Sequence, residues 1–254
     1  MTAVDDHYDR LLAEHYTWML GGDIDSVANT QADLFRRLGL AARPSDRASA
    51  VDLGCGSGAQ ALALAHLGYE SITAVDTSAA LLDELTENAK RLGYESVVQP
   101  THRDLRGVLP DLATAGSLAA VVCMGDTLPH LPGRADVVGL IADVAEALQT
   151  GGSFVVTYRD QTVELPASNR FIPVRGTADR ILTCFLDYVD EDTVLVHDLL
   201  HTWDGCGWNL MNGSYPKLRL SYQWLTEKCR AAGLDVHHDD NSPCGMQILH
   251  AVKP

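Results

Sequence analysis

The sequence predicts an α/β protein with a doubly wound, mostly parallel sheet of seven strands and an antiparallel β insertion after the fifth strand. Apolar strands alternate with helices over residues 45–160, the order expected of a parallel sheet covered on both faces. Residues 162–220 then show strand alternation and turn signals without a convincing helix. A helix and two strands at 222–252 return to the first pattern and complete the sheet.

The N-terminal elements are predicted to be helical. Residues 5–19 carry aromatic side chains, among them Tyr16 and Trp18, and end before a pair of glycines. A second helix is expected over Ile24 to Leu38. An aromatic stripe at helical spacing is more often part of a core than of a ligand wall. Residues 1–44 are therefore a helical segment ahead of the main sheet.

The first strand, residues 48–53, runs into the glycine turn Gly54-Cys55-Gly56-Ser57-Gly58, and an alanine-rich helix follows. Glycines permit backbone angles with positive φ, and without side chains they let a ligand lie against the main chain. The start of the helix offers unpaired N–H groups. A ligand site is expected here, although a tight turn without a ligand gives the same pattern.

Asp76 ends the second strand, residues 71–75, and follows Gly54 by twenty-two residues. In doubly wound folds an acid at that distance binds a pair of ribose hydroxyls. The glycine spacing is G-x-G-x-G, which differs from the G-x-G-x-x-G of dinucleotide sites. Asp52, directly before the first glycine, would repel a pyrophosphate but suits an ammonium or a sulfonium. The expected ligand is nucleoside-like and positively charged.

The alternation continues through the rest of the core. A helix at 78–92 follows the second strand, and strand 118–123 leads to a helix at 135–148. We expect this last helix to stop at Gly151-Gly152, because paired glycines are a common helix-stop signal, with strand 153–158 directly after it.

Residues 161–220 are predicted to form a small antiparallel sheet. Residues 180–188 and 193–203 have the pattern of a hairpin around an acidic turn, and residues 204–207 make a second turn. Ligands of an open parallel sheet bind beyond the carboxyl ends of its strands. The insertion leaves strand 153–158 at such an end, so it is placed to roof the site.

Four motifs occur in order along the core, Val51–Gly58, Ala74–Ser78, Thr101–Leu105 and Val121–Leu131. On these motifs the chain resembles the class I S-adenosylmethionine-dependent methyltransferases, of the small-molecule type that methylates glycine or sugar amines. The likeness is strong over residues 45–160. It implies a Rossmann-like sheet whose final strand runs antiparallel, with S-adenosylmethionine as the cofactor.

The resemblance implies how this cofactor is held. Asp52 and the backbone of the glycine turn would hold its methionine part, and Asp76 would take its ribose hydroxyls. Asp104 and the amide of Leu105 would face the adenine. The assignment of Asp104 depends on the strand before it, which is poorly defined in the sequence.

The methyl end of the cofactor is expected at Met124 and Gly125. In the small-molecule type that this chain resembles, an N-terminal helical segment forms a lid, which would bring Tyr16 and Trp18 to the methionine end or to the substrate. The complete set of expected cofactor residues is Asp52, Gly54, Cys55, Gly56, Asp76, Thr77, Asp104, Leu105, Met124, Gly125, Tyr16 and Trp18.

Methyl transfer is an in-line displacement that needs orientation, a water-poor pocket and a deprotonated nucleophile. His130 follows the fourth motif at the carboxyl end of a strand, and its ordinary pKa near 6.5 suits a general base. A packing or helix-capping histidine is an equally good interpretation. Asp126 in the same loop would hydrogen-bond an incoming amine, or it is a turn residue.

His197 and Trp203 in the insertion are the candidate substrate residues. His197 and His201 share one face of a predicted strand about 13 Å apart, too far to bind one metal ion together. The sequence His237-His238-Asp239-Asp240 is expected to be a solvated turn, because adjacent residues of a strand face opposite ways. We predict no metal site.

The charge and the cysteines restrict the function classes. The chain has 34 acids and 19 bases, a formal charge of −15, which disfavours nucleic acid and anionic membranes as partners. No apolar run approaches the ~18 residues of a membrane span, and the acidic N-terminus is not a secretory signal. Six cysteines occur without C-x-x-C spacing. We expect a reduced, cytoplasmic protein acting on a small molecule; whether it pairs as a homodimer is left open.

Together these features predict a methyltransferase for a small metabolite, at an amine nitrogen first and at a hydroxyl second. Two other classes stay in view: a non-catalytic cofactor-binding module, and a nicotinamide oxidoreductase, which the glycine spacing disfavours. The expected division is a helical lid (1–44), a cofactor-binding core (45–160), a substrate cap (161–220) and a C-terminal completion of the core sheet (221–254).

Overall fold

The computed structural model describes residues 3–41, 48–238 and 245–254. It contains a seven-stranded sheet and a four-stranded sheet, which confirms the predicted α/β class with its insertion. The solvated turn expected at 237–240 is wrong for His237 and His238, which end a strand that pairs with the last strand of the sheet, whereas Asp239 and Asp240 lie outside the described residues. In the described ranges, no helix has both the length and the apolar character needed to cross a membrane.

The larger sheet is mostly parallel. Its strands in spatial order are β10 (Asp235–His238), β11 (Gln247–Val252), β5 (Leu148–Tyr158), β4 (Leu118–Cys123), β1 (Ser49–Leu53), β2 (Ser71–Asp76) and β3 (Val98–His102). Only β11 runs antiparallel to its neighbours, pairing with β5 on one side and β10 on the other. The expected antiparallel final strand is therefore confirmed.

The α-helices of the described residues are α1 (Ala3–His7), α2 (Tyr16–Leu20), α3 (Ile24–Arg37), α4 (Ala59–His66), α5 (Ala79–Leu92), α6 (Leu109–Leu112), α7 (Arg134–Ala147) and α8 (Tyr222–Ala231). Several of them cover the two faces of the larger sheet. Side chains of β1 point alternately to two cores: Ala50 packs with α3, α4 and α5, whereas Val51 and Leu53 pack with α7 and α8. The central strands are therefore buried on both faces, as their unbroken apolar runs predict.

The glycines at 151 and 152 do not end a helix, so this prediction was wrong. Helix α7 ends at Ala147, and β5 starts at the next residue and includes both glycines. A Cβ on Gly152 would lie 2.8 and 2.9 Å from two backbone carbonyl oxygens. The pairing of β4 with β5 also shifts register near this point. Here glycine serves a close backbone approach within a strand irregularity.

The single helix expected over residues 5–19 is interrupted in the structure. One turn of π-helix at Tyr8–Leu12 follows α1, and a 3₁₀ turn at Ala13–His15 precedes α2. Such irregular turns are found preferentially at functional sites. The interruption changes which side chains of this segment face inwards, and Leu11 and Leu12 are buried.

The four-stranded sheet is the predicted insertion. Its strands pair antiparallel in the order β6 (Phe171–Gly176), β7 (Arg180–Tyr188), β8 (Thr193–Trp203) and β9 (Trp208–Leu218). The hairpin predicted at 180–203 is confirmed by the pairing of β7 with β8. Along β8 the buried residues alternate, and they are Val194, Val196, Asp198 and Leu200. These four form the inner face of the insertion sheet.

Candidate functional site

A cavity of about 790 Å³, a volume that includes space open to solvent, lies at the carboxyl ends of β1, β2 and β4. The walls come from the N-terminal segment, the turns after these strands and the loop before α7. The lining residues are Val4, Asp5, Tyr8, Tyr16, Gly54, Gly56, Asp76, Thr77, Ser78, Leu81, Asp104, Leu105, Arg106, Gly125, Thr127, His130, Leu131 and Pro132.

The glycine turn forms the floor of the cavity. Gly54, Gly56 and Gly58 have φ values of 72°, 53° and 96°, the left-handed region that favours glycine. A Cβ at Gly54 would lie 2.2 Å from Cγ2 of Thr127, and one at Gly58 would lie 2.0 Å from Cδ1 of Leu85. The alternating glycines are therefore required by both backbone angle and close packing.

Asp76 lies at the cavity wall, as predicted. Its carboxylate accepts hydrogen bonds from the backbone N–H of Gly56 at 2.8 Å and of Ser78 at 2.9 Å. These two bonds fix the side chain against the glycine turn. Burial raises the pKa of Asp76, and the backbone N–H donors oppose that shift. Each carboxylate oxygen can accept more than one hydrogen bond, so hydroxyl donors in the cavity can still bind it.

Asp52 lies beneath the glycine turn rather than on the cavity wall. Its side chain is buried, with 1% of the residue surface exposed, and among the residues that the structure describes neither carboxylate oxygen has a hydrogen-bond partner of ordinary geometry. Burial raises the pKa of Asp52 to about 8; the Ala61 N–H opposes this shift and the charge of Asp76 adds to it. A buried carboxylate of this kind is stabilised in its charged form by a nearby cation.

The third motif reaches the cavity through Asp104 and Leu105, which both line it. Asp104 accepts hydrogen bonds from the backbone N–H and the guanidinium of Arg106, among them 3.0 Å from Nε to Oδ1 and 2.6 Å from Nη2 to Oδ2. These bonds lower the pKa of Asp104. Arg106 also lines the cavity, which no motif in the sequence indicates. Thr77, beside Asp76, donates from Oγ1 to Asp5 at 2.8 Å.

Near the fourth motif the structure separates the predicted residues. Gly125 lines the cavity, whereas Met124 is buried with 4% exposed and packs in the core. The Met124 carbonyl accepts a hydrogen bond from Oγ1 of Thr127 at 2.8 Å, and Thr127 itself lines the cavity. Cys55 is also buried outside the cavity lining, and burial raises the pKa of its thiol.

Four aromatic rings contact one another at the cavity: Tyr8, Tyr16 and His130 line it, and Tyr215 packs on Tyr8 and His130. The ring of Tyr215 stacks on that of His130 with centroids 5.2 Å apart, and Tyr8 lies 6.2 Å from Tyr16. A Cβ at Gly56 would lie 2.7 Å from Cε1 of Tyr16, so this ring lies directly on the glycine turn.

His130 is a neutral imidazole in this environment. Burial lowers the pKa of His130 well below 6.5, and the neighbouring side chains of Lys217 and His7 lower it further. Its Nδ1 is buried with no hydrogen-bond partner among the described residues, and Nε2 lies 3.5 Å from the Tyr8 hydroxyl. A neutral imidazole at the cavity wall keeps one unprotonated nitrogen available near pH 7.

Asp126 lies outside the cavity lining, in a left-handed backbone conformation with φ of 73°. One of its oxygens accepts from the Arg159 N–H at 2.9 Å. The other pairs with Nζ of Lys217 at 2.5 Å, and the two side chains are only 15% and 10% exposed. The structure therefore places Asp126 in a link between the fourth-motif loop and β9.

Three predicted residues lie away from the cavity. Trp18 packs at the inner face of the insertion sheet, with the guanidinium groups of Arg175 and Arg180 over its ring. His197 lies on the outer face of that sheet. Trp203 is 43% exposed and contacts Trp208 edge to face. The structure does not bring these three side chains to the site.

The sequence analysis does not identify several residues of the cavity wall, or one pair of residues on the inner face of the insertion sheet. Tyr8 of the N-terminal aromatic stripe lines the cavity, and Tyr215 of the insertion packs on its ring. The pair is His7 with Asp198, which are in contact at 2.9 Å. Over the ranges that the structure covers, no group of three or more His, Cys, Asp or Glu side chains is arranged to hold a metal ion.

Comparison with known proteins decides the family. Residues 50–152 match the family model described as a methyltransferase domain. The cypemycin N-terminal methyltransferase of a Streptomyces species is 30% identical over 219 residues, which cover 80% of this chain and 79% of that protein. The chain belongs to the S-adenosylmethionine-dependent methyltransferases. The cofactor of this family is S-adenosylmethionine.

Two further relatives define the limits of the likeness. A ubiquinone biosynthesis O-methyltransferase of Xanthomonas campestris pv. campestris (strain B100) is 36% identical over 117 residues, 45% of this methyltransferase. The chain spans 44% of that relative's length. A solved amino pentose methyltransferase from Micromonospora echinaspora, involved in calicheamicin biosynthesis, shares the fold with a TM-score of 0.69 and 17% identity, over 95% of this chain and 96% of that one.

The residues of the cavity fit the family's cofactor. Asp76 and Asp104 line it, and Asp52 is a buried carboxylate beneath the glycine turn. S-adenosylmethionine carries a sulfonium and an ammonium, and acidic side chains in a low-dielectric wall attract such charges. The glycine floor lets the ligand approach the main chain.

Proposed function

We propose that this methyltransferase transfers a methyl group from S-adenosylmethionine to the amine nitrogen of a small molecule. The observation that carries the proposal is the neutral His130 on the wall of a cavity that Asp76 and Asp104 also line. The His130 imidazole is held by stacking on the ring of Tyr215. A proton acceptor and a site for a cationic donor thus share one cavity.

In this proposal the acidic side chains divide the cofactor between them. Asp76 binds the ribose hydroxyls, because its carboxylate is fixed at the wall with acceptor capacity left. Asp52 stabilises the positive charge of the methionine part from beneath the glycine turn. Asp104 and the Leu105 amide face the adenine, with Arg106 holding the Asp104 carboxylate in place.

The reaction requires the acceptor nitrogen to carry an unshared electron pair. Transfer breaks a carbon–sulfur bond, forms a carbon–nitrogen bond and leaves one surplus proton on the nitrogen. His130 is unprotonated near neutral pH and can take that proton, whereas the buried ring of Tyr215 and the half-buried ring of Tyr8 limit the access of water. This chain thus supplies orientation, a dry wall and a base.

The coverage of the relatives favours nitrogen over oxygen. The alignment with the cypemycin N-terminal methyltransferase covers 80% of the chain. Because the insertion is more than a fifth of the chain, this alignment must include part of it. The ubiquinone biosynthesis O-methyltransferase resembles only 117 residues, too few to include both the core and the insertion. Because the insertion faces the acceptor side, the first relative is the better guide. A hydroxyl acceptor is the second candidate, since His130 can also deprotonate a hydroxyl.

Titration calorimetry and a turnover assay test the proposal together. We expect S-adenosylhomocysteine to bind wild-type protein, Asp76→Ala to weaken that binding at least tenfold, and the surface variant Asp33→Ala to leave it unchanged. A panel of small amines, each matched with the corresponding alcohol, should yield S-adenosylhomocysteine with amines first. Absence of binding would remove the proposal. Binding without turnover of any amine or alcohol would favour a non-catalytic cofactor-binding module.

A further inference from the structure

The N-terminal segment contacts both halves of the molecule. On the core side, Oγ1 of Thr77 donates to Asp5 and Oγ of Ser78 donates to Asp9, both at 2.8 Å. On the other side, Nε2 of His7 donates to Oδ2 of Asp198 on β8 at 2.9 Å. Neighbouring residues of this segment therefore bridge the cofactor wall and the inner face of the insertion sheet.

The His7–Asp198 pair is the buried part of this bridge. The two residues are 6% and 1% exposed. Oδ1 of Asp198 also accepts from Sγ of Cys184 at 2.7 Å. Burial, together with the charge of Asp198, raises the pKa of the Cys184 thiol, so the thiol stays protonated and remains a donor. Each oxygen of the carboxylate thus has its own donor, and the one from the N-terminal segment is His7.

The insertion sheet is shaped to admit the His7 ring. A Cβ at Gly213 on β9 would lie 2.6 Å from Nδ1 of His7, although the φ of Gly213 is not in the left-handed region. Tyr215, which is on β9 like Gly213, has its ring centroid 4.6 Å from that of His7. Gly213 is therefore needed because the His7 ring occupies the space of a side chain, and not because of its backbone angle.

We propose that His7 and Asp198 are positioning residues that hold the N-terminal segment closed over the cavity and so set Tyr8 against His130. Tyr8 directly follows His7, lines the cavity and contacts both His130 and Tyr215. Loss of the His7–Asp198 contact releases the N-terminal segment. The cavity then opens next to the cofactor, and Tyr8 moves away from His130, where the acceptor would bind. The effect on turnover rests on the proposed function; the closure itself does not.

Two variants disturb the pair from opposite sides. His7→Ala removes the donor, and Gly213→Ala inserts a methyl group against the imidazole without changing either partner. Gly176→Ala is the matched control, because Gly176 is also in the insertion sheet, lacks a left-handed φ and would meet nothing within 4 Å. His7→Gln keeps a side-chain N–H donor and should restore much of the wild-type behaviour.

Release of the segment is measured by trypsin cleavage after Arg10, followed by mass spectrometry. The Arg10 side chain is 77% exposed, but the next residue, Leu11, is buried while the segment is closed. We expect His7→Ala and Gly213→Ala to be cleaved there at least tenfold faster than wild type and Gly176→Ala. S-adenosylhomocysteine should dissociate at least tenfold faster from the two variants, and kcat should fall more than the acceptor KM rises.

The proteolysis readout needs no ligand, so it stands even where the proposed function fails. Equal cleavage of wild type, His7→Ala and Gly213→Ala would overturn the inference. It would also be overturned if cleavage rose in step with a general loss of the folded state, measured by urea unfolding, and His7→Gln gave no rescue. That second result would mean that His7 and Asp198 only stabilise the fold and do not position the N-terminal segment.

Discussion

The hydroxyl of Tyr8 lies 3.5 Å from Nε2 of His130, although 122 residues separate them in the chain. Tyr8 belongs to the N-terminal segment and His130 to the loop before α7. Their contact closes the cavity from two sides, and Tyr215 of β9 packs on both rings. The three rings of Tyr8, His130 and Tyr215, where we propose that the acceptor binds, therefore come from three separate parts of the sequence.

Replacing His130 by Asn should remove the base and keep a polar side chain. Because a positioned general base contributes about 10²–10⁴-fold, we expect kcat to fall by at least 10². Affinity for S-adenosylhomocysteine should change less than threefold, since the acidic side chains that bind it are untouched. Steady-state kinetics and calorimetry on the same preparation measure both. A variant that keeps its kcat would show that His130 only packs.

Asp52 should make the ligand-free protein less stable as the pH rises. Burial raises its folded-state pKa from 3.8 to about 8, so between these values the folded chain holds a proton that the unfolded chain has lost. The free energy of unfolding therefore falls as the pH rises from 5.5 to 7.5, by up to about 1.4 kcal/mol per pH unit from this group. Asp52→Asn should flatten that slope in urea unfolding, whereas Asp33→Asn should keep it.

Gly56→Ala should impair cofactor binding through a close contact as well as through the backbone. Its φ is 53°, and the new Cβ would press on the Tyr16 ring. Gly93→Ala is matched for the backbone, with φ of 78° and nothing within 4 Å. Both should lose about 1–2 kcal/mol of stability from the left-handed angle. Only Gly56→Ala should weaken S-adenosylhomocysteine binding tenfold or more; equal binding in both variants would contradict the assigned role of the turn.

The buried pair of Lys217 and Asp126 should show strong coupling. Lys217→Met leaves the Asp126 carboxylate buried without its cation, which costs about 3–5 kcal/mol in known cases. The double variant Lys217→Met with Asp126→Asn should recover most of that loss, because no uncompensated charge remains. Urea unfolding of the wild type and the three variants gives the coupling energy. Additive losses would mean that the two side chains act independently.

The sequence was most informative where chemistry is local. The glycine turn and Asp76 depend on backbone angles and on a spacing within one strand–helix–strand unit, and both were found from the sequence. Glycines at 151 and 152 were misjudged, because a glycine pair is compatible with a helix stop and with a strand irregularity alike. Only the pairing of β4 with β5 distinguishes the two.

The insertion was less predictable because both faces of β8 carry apolar residues. Leu195 and Leu199 share a face with His197, whereas Val194 and Leu200 share the other with Asp198. The period-two alternation of a strand shows which residues share a face, but it does not show which of the two faces is directed inwards. Contacts of Tyr8, Thr127 and Arg106 with the cavity depend on tertiary packing, for which a single sequence carries no periodic signal.

Two buried polar contacts join the insertion sheet to the rest of the molecule, Lys217 with Asp126 and Asp198 with His7. A graft of a relative's cap onto this core, made to alter acceptor choice, should therefore retain Lys217 and Asp198. A chimera that keeps the glycine turn but omits these two side chains would hold its donor more loosely and misalign the incoming nucleophile.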